Sequence, residues 1–78
     1  MTGAGKEEVV LDLQITMAAA RVNAGKTQKD VAEEMRVSNK TVLNWETGKT
    51  RPKPAQLEMF CRICKISVDN IFLPDALT

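Results

Sequence analysis

The stretch Thr27–Gly48, TQKDVAEEMRVSNKTVLNWETG, limits the folds open to this chain more than any other. Thr27 is a good helix N-cap, and Asp30 three residues on completes a variant of the capping box. Val31, Ala32 and Met35 then mark the buried face of a helix of about two turns. Ser38 caps a second helix, with Val42 and Trp45 three apart on its inner side, and Gly48 ends it. Between the two lies a tight turn of about four residues. Val37, just before the second cap, is placed to pack down into the core. A capped helix, a tight turn and a second capped helix ending in glycine is the layout of a helix-turn-helix.

The flanking segments supply more helices. Residues 1–8 are polar and are expected to form a flexible tail. A first helix is expected from about Val9 to Asn23, because Leu13, Met17, Ala20 and Ala24 recur at helical spacing. Gly25 sits where a left-handed C-terminal cap is needed. Lys49–Pro54 reads as a basic loop punctuated by two prolines, and Pro54 suits the first turn of a fourth helix running to about Lys65. Leu57, Phe60, Cys61 and Cys64 form its inner face. Ser67 reads as the cap of a short fifth helix with Asp69 in its first turn, where a negative charge suits the dipole. Ile71 and Phe72 are expected to close the core and Pro74 to end the helix. No segment alternates with period two, so no sheet is expected. The expected fold is all-α: one compact five-helix domain over residues 9–73, with a C-terminal tail over residues 74–78.

Several functions are set aside by what the chain lacks. Its 78 residues allow one domain at most. No stretch approaches the roughly 18 apolar residues of a membrane span. Glu7 and Glu8 stand where a secretory signal would carry a basic start and an apolar run. The expected location is therefore the cytoplasm. The sequence has no histidine, so the commonest general base and metal ligand are missing. Cys61 and Cys64 form a Cys-x-x-Cys, yet a structural zinc site needs further ligands and a thioredoxin-like motif needs a βαβ setting. They read as two small core thiols. Glu33 and Glu34 diverge by about 100° around a helix and read as solvated surface. Trp45 reads as a partly buried structural residue. No cofactor, metal or catalytic constellation is expected, and the chain is not read as an enzyme.

The charge distribution says more than the net +1. Between Arg36 and Lys53 stand Arg36, Lys40, Lys49, Arg51 and Lys53 against Glu46 alone, a net +4, while the rest of the chain nets −3. A basic middle in an otherwise acidic molecule suggests one face made for a polyanion. In a helix-turn-helix the first helix crosses the sugar–phosphate backbone, and the start of the second enters the major groove. The side chains available there are Asn39, Lys40 and Asn44, with Thr41 and Leu43 nearby. Asparagine can pair with adenine in bidentate fashion, and lysine can donate to guanine O6 and N7. Before Glu46 this helix carries no acid that would repel phosphate.

The segments TQKDVAEEM, VSNKTVLNWETGKTRP and ISVDNIF together resemble the lambda-repressor-like helix-turn-helix domains, also called the xenobiotic-response-element family. The resemblance covers about Leu13 to Leu73 and implies five packed helices. It also implies roles. Gln28, beside Thr27 at the start of the second helix, matches the family glutamine that bonds a phosphate and braces the recognition helix. Asn39, Lys40 and Asn44, with Thr41, fall where the family reads bases. Lys49, Thr50, Arg51 and Lys53 fall in the loop that grips phosphates. Arg21 and Glu46 match an Arg–Glu pair tying the first helix to the end of the third. Three residues depart from the pattern. Arg36 and Lys65 each stand where glycine is usual, and Lys26 stands for a usual leucine, which should loosen packing between the first two helices. A left-handed backbone at Arg36 would cost about 1 kcal/mol, and its charge would offer one more phosphate contact.

The expected function is that of a transcriptional regulator, a repressor of phage or mobile-element type. It would bind a roughly two-fold symmetric double-stranded DNA operator as a homodimer, with helix 5 and Ile71–Thr78 as candidate dimer surfaces. Two alternatives share the fold. One is an antitoxin-like module whose residues 1–8 hold a protein partner. The other is a protein-interaction domain that has lost DNA binding, against which stand Gln28, the polar outer face of the third helix and the basic loop.

Overall fold

The computed structural model describes residues 14–74. In chain order these form β1 (Ile15–Thr16), α1 (Met17–Asn23), α2 (Gln28–Met35), α3 (Asn39–Thr47), α4 (Pro54–Cys64), a 3₁₀ turn (Val68–Asn70) and β2 (Ile71–Phe72). The helical core agrees with the expectation at its centre and departs from it at both ends.

Helix starts follow from side-chain caps. Thr16 Oγ1 accepts from the Ala19 N–H at 3.1 Å, so α1 begins at Met17. Residues 14–16, which the expected Val9–Asn23 helix includes, are not helical, while its start near Val9 and Leu13 of the apolar stripe lie outside the described residues. Thr27 and Asp30 exchange bonds, each N–H meeting the other's side-chain oxygen at 2.9 Å. Ser38 Oγ accepts from the Thr41 N–H at 3.0 Å. Pro54 opens α4, and Gln56 Oε1 reaches back to the Lys53 N–H at 2.8 Å.

All four helices end alike. The residue after the last turn, or one beyond it, is left-handed: Gly25, Arg36, Gly48 and Lys65. The next N–H then bonds a carbonyl five residues back, as in Lys26 to Arg21, Val37 to Ala32, Lys49 to Asn44 and Ile66 to Cys61. That is the Schellman arrangement, which satisfies carbonyls that the helix end would orphan. Glycine adopts it freely. Arg36 (φ 60°, ψ 44°) and Lys65 (φ 59°, ψ 48°) do so against the steric preference of an L side chain.

The core gathers one stripe from each helix. Met17, Ala20, Val31, Ala32, Met35, Val42, Trp45, Phe60, Cys61, Cys64 and Ile71 are buried together. Phe60, Met17, Val31 and Val42 are the largest side chains sealed from solvent, each worth roughly 1.5–3 kcal/mol of transfer free energy. Val37, Leu57 and Ile66 pack against this cluster from the rim. Trp45 is deeper than a partly buried residue, at 3% exposure. Cys61 and Cys64 are free core thiols, as expected, and burial pushes both above the ordinary thiol pKa. At Lys26 the chain keeps a polar residue where the resemblance would put leucine; its ammonium pairs with Glu34 at 3.0 Å. An open cleft of about 350 Å³ lies beside it, lined by Asn23, Ala24, Lys26, Ile63, Cys64 and Lys65.

Further expectations are corrected. Four α-helices are present among the described residues, not five. The segment after Ser67 makes a single 3₁₀ turn, with Ser67 Oγ accepting from Asp69 N at 3.2 Å. β-branched Val68 and Ile71 do not favour a longer helix, and Ile71 and Phe72 are taken up in pairing with β1. The chain is also not free of sheet. β1 and β2 pair in parallel, Ile15 opposite Ile71 and Thr16 opposite Phe72. Successive strand residues face opposite ways, so burying Ile71 turns Phe72 outward, half-exposed rather than closing the core. Gln14 Nε2 extends this tie with a bond to the Asp69 carbonyl at 3.3 Å.

Candidate nucleic-acid interface

α2 and α3 form the expected pair, and Arg36–Ser38 make the turn between them. The left-handed Arg36 reverses the chain, Val37 anchors it to the core, and Ser38 starts α3. Burial of Val42 and Trp45 fixes which way α3 faces. Its other face carries Asn39 and Lys40, both exposed and without side-chain bonds among the described residues, and half-buried Asn44. Thr41 is turned partly inward: its hydroxyl lies 2.9 Å from Ser38 Oγ. Asn39, Lys40 and Asn44 are thus brought to one helix face, and Thr41 sits at its margin.

The loop after α3 is held by backbone and proline. The Asn44 carbonyl accepts from the N–H groups of Lys49 at 2.9 Å and Thr50 at 3.2 Å. Pro52 is buried, which pins the loop while Lys49, Thr50, Arg51 and Lys53 stay exposed around it. Arg36, in the turn before α3, is exposed as well. Thr27 is exposed too, with its hydroxyl oxygen engaged by the Asp30 N–H.

One acid lies in this basic span, and the fold sequesters it. Arg21 Nε donates to Glu46 Oε2 at 2.6 Å and Arg21 Nη2 to Oε1 at 3.3 Å, with side-chain exposures of 14% and 5%. The expected Arg–Glu pair is present. Gln28 Nε2 also donates to Glu46 Oε1, at 2.9 Å. Gln28 therefore binds inside the protein, a partnership that linear spacing did not suggest. Arg21 Nη1 completes the network by donating to the Lys26 carbonyl at 2.8 Å. With Glu46 neutralised and withdrawn, the exposed charge from Arg36 to Lys53 is entirely positive.

Such a surface can do two things chemically. The cations and backbone-anchored loop can neutralise phosphates, and the amide and ammonium groups of α3 can hydrogen-bond base edges. It carries no group of three or more acidic, cysteine or histidine side chains able to hold a metal among the described residues. No helix there is long and apolar enough to cross a membrane.

A family model described as helix-turn-helix matches residues 17–71, from the first residue of α1 to the first of β2. No curated protein and no solved structure matches the chain.

Proposed function

Since this chain belongs to the lambda-repressor-like helix-turn-helix family, whose members are DNA-binding regulators, we propose that it is a sequence-specific transcriptional repressor. α3 enters the major groove. Asn39, Lys40 and Asn44, with Thr41 at the margin, read base edges. Gln28, Thr27, Lys49, Thr50, Arg51, Lys53 and Arg36 hold the phosphates on either side. A single helix-turn-helix makes few base contacts, so the protein acts as a homodimer on an operator of approximate two-fold symmetry, in the cytoplasm of a bacterial or phage-infected cell.

The observation that carries this reading is the sequestration of Glu46. The single acid among five exposed cations is paired to Arg21 and Gln28, which leaves only positive charge exposed between Arg36 and Lys53.

Selection of bound sequences from random duplex DNA tests it, followed by affinity measurements on the best site across a salt series. One enriched motif and a log–log salt slope of several units are expected, because each neutralised phosphate releases counterions. Absence of both enrichment and slope would overturn the proposal.

A further inference from the structure

We infer that Leu43 is a specificity-determining residue that reads the C5 methyl group of a pyrimidine in the major groove. The inference rests on the reading of α3 as the recognition helix. Leu43 lies one turn beyond Asn39 and Lys40 and one turn before Thr47, so helical spacing puts it in the middle of the outward strip. It is 40% exposed and belongs neither to the buried core nor to the apolar side chains packed against it. Among the described residues, the other large exposed apolar side chains, Val22, Met59, Val68 and Phe72, lie on other elements. Leu43 is thus a single apolar group set among polar ones.

The strip changes character along its length. Asn39 and Lys40, at its start, offer hydrogen bonds. Thr47, at its end, directs its hydroxyl to the Leu43 carbonyl at 2.9 Å, so that donor is used within the helix. At Leu43 the strip therefore offers shape rather than a hydrogen bond, between Asn39 and Lys40 before it and Asn44 beside it.

The chemistry of the groove selects the partner. Every functional group on the major-groove edges of the bases is a hydrogen-bond donor or acceptor, except the C5 methyl of thymine. 5-Methylcytosine presents the same methyl. A leucine side chain gains by burying it and gains nothing from the other groups. A protein partner is a poor match, since one leucine on a polar helix is far smaller than the roughly 800 Å² per side of a specific protein interface.

The test uses the full chain and its Leu43→Ala variant, which keeps a good helix former at an exposed site. Bound sequences are selected from two random duplex pools, one ordinary and one with 5-methylcytosine replacing cytosine. Each enriched thymine is then replaced singly by uracil, which deletes the methyl and leaves the hydrogen-bonding edge intact. Wild type is expected to lose about fourfold in affinity at one thymine per half-site, the loss that one unburied methyl group implies. Leu43→Ala should bind thymine and uracil there equally, with an unchanged salt slope. A site enriched only in the modified pool would support the inference with 5-methylcytosine as the source. Equal binding of both bases by wild type at every position, without preference for the modified pool, overturns it. Discrimination that persists in Leu43→Ala also overturns it. If wild type enriches no sequence at all, the recognition-helix reading itself falls and takes this inference with it.

Discussion

The amide of Gln28 and the carboxylate of Glu46 are hydrogen-bonded at 2.9 Å, which joins the first residue of α2 to the last turn of α3. The covalent turn at Arg36–Ser38 closes one end of the helix pair, and this bond closes the other. Arg21 adds two further donors to the same carboxylate, so three elements meet on one acid. One hydrogen of the Gln28 amide is used here, and the other remains for the phosphate contact proposed above. Glu46 thereby orients a side chain assigned to the DNA backbone while lending α3 no exposed charge.

Removing Glu46 should be severe. Glu46→Ala leaves the part-buried Arg21 guanidinium with the Lys26 carbonyl alone, which should cost up to about 3 kcal/mol. Gln28→Ala should cost only about 1 kcal/mol, the worth of one ordinary hydrogen bond. Urea unfolding followed by the fluorescence of Trp45, the one tryptophan of the chain, measures both. An apolar double replacement, Arg21→Met with Glu46→Leu, should recover most of the lost stability. Equal losses for Glu46→Ala and Gln28→Ala would contradict this ranking.

Arg36 and Lys65 share one backbone conformation but only one of them borders the interface. Glycine at either site removes the left-handed steric cost and should stabilise the fold by up to about 1 kcal/mol. Arg36→Gly should also weaken DNA binding at low salt, while Lys65→Gly should leave it unchanged. Denaturation midpoints and affinities of the two variants, measured side by side, check the pair. A loss of affinity in both would show that the charge at Arg36 has no special place.

The capping box of α2 carries a pH dependence. Hydrogen bonds from the Thr27 backbone and hydroxyl hold the Asp30 carboxyl below its ordinary value of 3.8. The associated stability is fully present above that ordinary value. It is lost as pH falls through the lower, folded-state pKa. Wild type and Asp30→Ala should therefore differ in urea midpoint at pH 6, and the difference should shrink as the pH falls below 3.8. A constant difference across that range would assign the effect of Asp30 to packing rather than to charge.

Base and phosphate contacts should separate in their signatures. Asn39→Ala or Lys40→Ala is expected to lose roughly 1–3 kcal/mol on the selected site and to relax the preference at one position. Lys53→Ala should weaken all sequences alike and lower the salt slope by about one. Binding isotherms on the selected site and on scrambled duplex distinguish the two. An unchanged site preference in both α3 variants would mean that another face does the reading.

The helix boundaries were legible where one side chain acts on its own neighbourhood. Thr27, Ser38 and Pro54 start helices by local chemistry, and Gly25 and Gly48 mark two of the ends. The left-handed turn at Arg36 was legible only through family resemblance, because arginine carries no local signal for it. The β1–β2 pair was illegible for a different reason. Two-residue strands have no periodicity to detect, and Ile15 and Ile71 stand far apart in the sequence, brought together by the packing of the helices between them. Ser67 and Asp69 did signal a cap, but a cap does not reveal how many turns follow. In the interface, residue types pointed to Asn39, Lys40, Asn44 and the basic loop. They did not reveal that Gln28 also serves Glu46, which depends on the angle at which α2 and α3 cross.

The pairing of Ile15 with Ile71 also sets how far the domain can be trimmed. A strand deprived of its partner leaves backbone N–H and C=O groups without hydrogen bonds, and loss of Ile71 opens the core it helps to fill. The stretch that must stay together is therefore longer than the pair of helices it presents.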